Sequence, residues 1–197
     1  LNNRLKKQID FIVEIDKLKS IFRQSKLAHV SRFENDTEHS WHISVMAILL
    51  LEHANDKAID LIKILKMVLI HDIVEIDAGD VIIYDLQRRK EIIEKENAAA
   101  QRLFGILPGD QRDEFISLWK EFEAKETNEA KFAGAVDRIE PILLNYLNQG
   151  YTWQKNNINS KQVFERNRQI QEASSVLWEY VKGIINESVE KGYLKNE

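Results

Sequence analysis

The chain contains no cysteine. Neither a disulfide framework nor a thiolate metal site is open to it, so any metal must be held by His, Asp and Glu. The absence fits a reducing compartment, and a cytoplasmic location is the expectation. Proline and glycine are scarce, at 2 and 7 residues. So few chain breakers argue against a turn-rich β architecture and favour long helices. No apolar run is long enough to span a bilayer, and Leu1 to Lys7 lacks the apolar core of a signal peptide. There is no basic excess either: 28 Lys and Arg face 32 Asp and Glu, for a net charge of -4. That balance gives no support for a nucleic-acid partner, which a basic face would signal. The clusters Lys6-Lys7 and Arg88-Arg89-Lys90 read as solvated helix faces.

What is present is an ordinary globular composition, 44% hydrophobic and 30% charged, over 197 residues. This is enough for one domain, spanning 1–197, with a substantial core. Apolar residues recur at helical spacing almost throughout. The first helix is expected over about Arg4 to Phe22, burying Leu5, Ile9, Ile12, Ile15 and Leu18. A polar loop through Phe33-Glu34-Asn35 leads to a helix capped by Asp36 or Thr37, with Ile43, Ala47 and Leu50 inward. Asp56 is a candidate cap for a third helix burying Ile59, Ile62, Leu65 and Leu69. Asp77-Ala78-Gly79-Asp80 is a turn signal, and Val81-Ile82-Ile83-Tyr84 reads as a loop, since no partner strand is apparent. Further helices are expected over about Gln87 to Phe104, Pro108 to Ala124, and Thr127 or Asn128 to Asn148. A loop from Gln149 to Ser160 precedes a last long helix over about 161–191. The fold class expected is all-α.

Against this background one doublet stands out. His71-Asp72 ends the apolar run Leu65-Lys66-Met67-Val68-Leu69-Ile70. A charge buried there is costly unless paired or bound to a metal. Successive helical residues point about 100° apart, so both side chains can reach an ion lying between them. His39, in the first turn of the second helix, can approach from a neighbouring helix. Asp137 lies among the small and apolar residues of Ala133-Gly134-Ala135-Val136, four positions before Pro141. Proline cannot donate to the carbonyl four residues back, so a backbone irregularity is expected at the carboxylate. Two imidazoles and two carboxylates suit Mn, Fe, Co, Ni or Zn. The plainer reading is a hydrogen-bonded structural His-Asp pair. His42 reads as a helix-face residue or one backing a ligand, and His29 and His53 as surface or loop residues.

The order His39, His71-Asp72, Asp137 resembles the HD-domain metal-dependent phosphohydrolases. The surrounding Thr37-Glu38-His39-Ser40, His71-Asp72-Ile73-Val74-Glu75, Ala78-Gly79-Asp80, Glu129-Ala130-Lys131-Phe132, Asp137-Arg138-Ile139-Glu140-Pro141 and Arg166-Asn167 are similar to the 5′-deoxynucleotidase-like branch, over about residues 15–178. The resemblance implies a helical HD-domain fold and often a homodimer. It implies one divalent ion (Mn, Co, Fe, Ni, Zn or Mg) on His39, His71, Asp72 and Asp137. It further implies that a metal-bound water hydrolyses a phosphomonoester, deoxynucleoside 5′-monophosphates being the branch's best-known substrates. Glu75 matches the family glutamate beside that water, and Asp80 the aspartate near the phosphate. Arg23 matches a phosphate-binding arginine, with Arg32 as its rival. Lys131 reads as a surface or supporting ion-pair partner. The aliphatic run Val81-Ile82-Ile83-Tyr84 before Asp85 departs from the family and bears on the substrate. Trp41, Trp153 and Tyr84 are candidates to stack on a base, against a plainer role in the core. Two alternatives remain. One is an HD-type hydrolase of another phosphate ester or signalling nucleotide. The other is a non-catalytic, metal-containing interaction or sensing domain.

Overall fold

The structure, a computed structural model, describes residues 3–80 and 86–197. The Val81–Asp85 run therefore lies outside the described residues. The expected dominance of helix holds. In chain order the helices are α1 (Asn3–Ile15), α2 (Asp36–Leu50), α3 (Leu61–Ile70), α4 (Glu75–Ala78), α5 (Leu86–Phe104), α6 (Gly109–Ala124), α7 (Asn128–Leu147), α8 (Tyr151–Lys155), α9 (Ser160–Asn167), α10 (Ile170–Ala173) and α11 (Ser175–Glu190). Among the described residues no helix is long and apolar enough to cross a membrane.

The sequence pattern missed one feature before α2. Where a helix to Phe22 and a loop are expected, α1 stops at Ile15 and a 3-10 turn covers Asp16–Ser20. An antiparallel hairpin follows, β1 (Phe22–Lys26) with β2 (Phe33–Asn35), pairing Phe22 with Asn35 and Lys26 with Phe33. The expected buried stripe of α1 is also corrected. Phe11 is its one buried residue, while Leu5, Ile9 and Ile12 are exposed. Leu18, in the 3-10 turn, is buried as expected.

Helix starts follow local chemistry. Asn35, not Asp36 or Thr37, caps α2 through a reciprocal box: Glu38 N–H donates to Asn35 Oδ1 at 2.9 Å, and Asn35 N–H to Glu38 Oε2 at 3.2 Å. Asp60, not Asp56, caps α3, accepting from Ile62 N–H at 2.8 Å. The buried stripe is Ile64, Met67 and Val68, spaced i, i+3, i+4, and Ile62 and Leu69, expected inward, are exposed. Thr127 caps α7, which runs unbroken through Pro141.

The expected last helix is broken into three. Ser174 leaves helical geometry at φ −157, caps α11 by accepting from Leu177 N–H at 3.1 Å, and donates to the His53 carbonyl at 2.6 Å. Ser174→Ala removes a cap and takes the hydroxyl donor from the half-buried His53 carbonyl. It is expected to lower Tm by roughly 2–8 °C, from about 1–2 kcal/mol at this chain size, as a calorimetric scan would show. Trp178 is buried edge-on against Phe164.

α7 is the central element. It packs against α2, α3, α6, α10 and α11, and it buries Phe132, Ala133, Val136, Ile139 and Ile142. Gly134 on this helix leaves room for the Lys125 side chain, whose Cε would lie 2.6 Å from an added Cβ.

Candidate functional site

Three separate stretches bring the four expected ligand residues together. The α2 cap sets His39 in the first turn, fully buried. At Ile70 α3 tightens into a 3-10 turn, His71–Val74, which carries His71 and Asp72, both buried. α7 presents Asp137 from the opposite side. His39 Nε2 lies 3.2 Å from Asp137 Oδ1. His71 Nε2 lies 2.9 Å from Asp72 Oδ1 and 3.6 Å from Asp137 Oδ1. Potential ligand atoms of His39, His71 and Asp72 all fall within 4.8 Å of one another.

The donor set passes a direct test of fit to a cation. A backbone carbonyl only accepts, so His71 Nδ1, 3.0 Å from Val68 O, must carry the proton. In the neutral ring Nε2 then holds a lone pair. That lone pair faces two carboxylates, and Nε2 has no hydrogen-bond partner. Acceptors aimed at acceptors repel unless a proton or a metal ion sits between them. Without metal the protons take that role. Burial pushes the His71 imidazole down, but Asp72 and Asp137 outweigh it and hold the group at about 10. Burial and Arg23 press on His39 likewise, and Asp137 and Glu140 raise it to about 9. Despite burial, the two imidazoles drive Asp137 well below the usual carboxylate range. His71 and Arg23 hold Asp72 at about 2. The Phe122 ring packs 4.7 Å from the His71 ring and fixes its plane.

A cavity of about 420 Å³ opens on these residues. Arg23, Glu75 and Asp80 line it beside His71, Asp72 and Asp137. The hairpin is what delivers Arg23, whose Nη1 donates to Asp72 Oδ2 at 2.9 Å. The rival Arg32 is placed elsewhere: it is exposed, forks onto Glu38, and does not line the cavity. Glu75 opens α4. Burial and repulsion from Asp72, Asp36 and Asp80 push its carboxyl well above the usual range. Gly79 ends α4 at φ 78 and ψ 153, a region closed to residues with a Cβ, and the chain turns so that Asp80 faces the cavity. Burial, outweighing the Arg23 charge, raises Asp80 as well.

The other candidates separate cleanly. Trp153 is buried and lines the cavity wall, whereas Trp41 is exposed and does not line the cavity. Tyr84 lies outside the described residues. Lys131 pairs with Glu172 at 3.1 Å. His42 contacts Glu140 at 3.3 Å. His29 is exposed and His53 is half-buried in a 3-10 turn.

Sequence reasoning missed three buried acids. Glu34 and Glu140 flank His39, with Oε2 atoms 3.7 and 3.3 Å from its Nδ1. Asp36 lies 3.9 Å from Arg23 Nη1. Burial and the Glu140 charge push Glu34 up to about 9, and burial with Asp72 pushes Asp36 up to about 7. Glu140 carried a readable signal, three residues after Asp137 and so on the same helical face. Glu34 and Asp36 carried none.

Comparison with known proteins shows the family. A family model described as "HD domain" matches residues 15–178. The chain is similar to a solved structure titled a predicted metal-dependent phosphohydrolase, from Magnetospirillum magnetotacticum MS-1. That match has 47% identity and a TM-score of 0.93, covering 98% of this chain and 100% of that one. It is also similar to two proteins named 5′-deoxynucleotidase HDDC2. The Xenopus laevis protein is 30% identical over 139 residues, 70% of this chain and 67% of that protein. The Dictyostelium discoideum protein is 31% identical over 152 residues, 75% of this chain and 77% of that protein.

Proposed function

The chain belongs to the HD-domain phosphohydrolases, and from that premise we propose that it removes the 5′-phosphate of deoxynucleoside monophosphates. In this reading His39, His71, Asp72 and Asp137 hold one divalent ion. The observation that carries the reading is His71 Nε2, buried and without a hydrogen-bond partner, facing Asp72 and Asp137 at the mouth of a cavity that also holds an arginine. The relatives named 5′-deoxynucleotidase support the substrate class. So does a cavity of about 420 Å³, within the usual range of small-ligand sites.

A divalent ion at this position supplies Lewis-acid polarisation of a phosphoryl oxygen and acidifies bound water. The protein's own groups divide the remaining work. Arg23 binds the phosphoryl group through its planar fork, offsetting charge as the phosphorus–oxygen bond breaks. Glu75, whose ionised form a nearby divalent cation would favour, takes a proton from the attacking water. Asp80 supplies a proton to the departing 5′-oxygen. The products are a nucleoside and inorganic phosphate, and the proton gained by Glu75 balances the one given by Asp80. Apolar wall residues such as Val74, Ile142 and Trp153 keep bulk water from the rest of the cavity.

Phosphate release by the Mn- or Co-loaded protein, measured across deoxynucleoside and ribonucleoside 5′-monophosphates, tests the proposal. Release from the deoxynucleotides is expected. Full metal occupancy with no release from any nucleotide sinks the nucleotidase reading. The arginines give a second test. Arg23→Ala should lower kcat/KM about 10- to 100-fold, the loss of about 1.5–3 kcal/mol of charge-assisted hydrogen bonding, while Arg32→Ala should leave it within about twofold of the parent. Equal effects in steady-state assays would remove Arg23 from the phosphate site.

A further inference from the structure

Glu140 is fully buried, yet the reaction just described does not use it. It sits one helical turn beyond Asp137 on α7 and touches two histidines of α2. Oε2 lies 3.3 Å from His39 Nδ1, and Oε1 lies 3.3 Å from His42 Nδ1. His39 Nδ1 and Glu140 Oε2 are both buried atoms with no hydrogen-bond partner in the present ring orientation. An orphaned donor and an orphaned acceptor facing each other inside a protein are costly unless they are used together.

We propose that Glu140 is the positioning residue for the metal ion: it holds His39 in the tautomer and direction that turn Nε2 toward the ion. The inference rests on the metal reading of the site. If Nε2 gives its lone pair to a cation, the ring proton belongs on Nδ1, and Glu140 is the nearest acceptor for it. Glu34 Oε2, at 3.7 Å, stands behind as a second carboxylate. A carboxylate at this place makes the imidazole more basic and a stronger ligand than a neutral carbonyl does. The two ligand histidines thereby become unequal, because His71 donates to the Val68 carbonyl at 3.0 Å. His42 holds the other Glu140 oxygen. It is half exposed, so it fixes the carboxylate from the outer side of α2 without entering the cavity.

The test measures cobalt(II) affinity by its visible absorption, with metal per chain and the melting curve of the metal-free protein on the same samples. Glu140→Gln is expected to weaken binding about 10- to 100-fold. Glu140→Asp should restore part of the loss, and His42→Ala should weaken binding about 2- to 5-fold, on the order of the smaller hydrogen-bond losses. The ¹⁵N shifts of His39 in the zinc-loaded protein should report a proton on Nδ1 in the parent. If Glu140→Gln does not fold, Glu140→Asp, His42→Ala and the parent's ¹⁵N shifts decide the matter. Parent-like affinity in the folded variants overturns the inference. So does a second ion per chain that is lost in Glu140→Gln, since Glu34, His39 and Glu140 would then be ligands of their own site. A parent that binds cobalt but hydrolyses no nucleotide refutes the substrate proposal and leaves this one standing. A parent that binds no metal refutes both.

Discussion

Glu75→Gln is expected to lower kcat by about 10²–10⁴-fold, the usual worth of a positioned general base, with metal content unchanged and Tm at or slightly above the parent's. The carboxamide keeps the shape of the side chain but cannot accept the proton of the attacking water. The structure separates this residue from the proposed metal ligands, because Glu75 opens α4 while His71 and Asp72 belong to the 3-10 turn before it. The same substitution also removes a carboxyl that Asp72, Asp36 and Asp80 repel, so a small rise in Tm is compatible with the role. Single-turnover assays at saturating nucleotide would check the chemical step directly. A Glu75→Gln protein that turns over at the parent's rate would move the proton transfer to another group and end the mechanism as written.

Chelation should produce the second large effect. Removing the ion is expected to abolish phosphate release and lower Tm by roughly 6–15 °C, taking a ligand held at about 100 to 1,000 times its Kd as worth about 2.7–4.1 kcal/mol. Re-addition of Mn or Co should restore both. The physical basis is the crowd of carboxylates around Arg23 and the two imidazoles, whose repulsion a bound ion would relieve. Asp137→Ala should reproduce the chelated state, and added metal should not rescue it. If an extensively chelated sample hydrolyses nucleotide as fast as before, the ligand assignment fails together with the reaction.

The sequence disclosed this site unevenly, and the reasons are physical. His71-Asp72 was readable because a polar pair at the end of an apolar helix has few plain explanations. His39 and Asp137 were readable by their order and neighbours. The choice between Arg23 and Arg32 was not, because it depends on a hairpin whose strand Phe22-Arg23-Gln24-Ser25-Lys26 lacks the alternation of a half-buried strand. Only the pairing of β1 with β2 carries Arg23 to Asp72 and leaves Arg32 beyond it. Glu34 and Asp36 look in sequence like any surface acid, since nothing local marks a carboxylate as buried, whereas Glu140 shares a helical face with Asp137.

Helices showed the same division. The span of α7 was legible from its cap and its period, and so was that of α6. The phase of α3 was not, because Leu61-Ile62-Lys63-Ile64-Leu65-Lys66-Met67-Val68-Leu69-Ile70 is apolar on nearly every side, so period alone does not pick the stripe that faces the core. α1 misled for another reason. Leu5, Ile9 and Ile12 form a regular stripe, but amphipathic spacing says which residues share a face, not whether the rest of this chain covers it.

The His39–Asp137 contact spans 98 residues of sequence. Two of the three ligand-bearing stretches must therefore meet through a long loop closure before the ion finds its full set of donors. No fragment carrying α2 alone, or α3 alone, holds more than part of the site. An ion held by that proposed set would act as a late clasp, slowing unfolding far more than it speeds folding. Its rate of escape then becomes a clock for how often α2 and α7 part in the native protein.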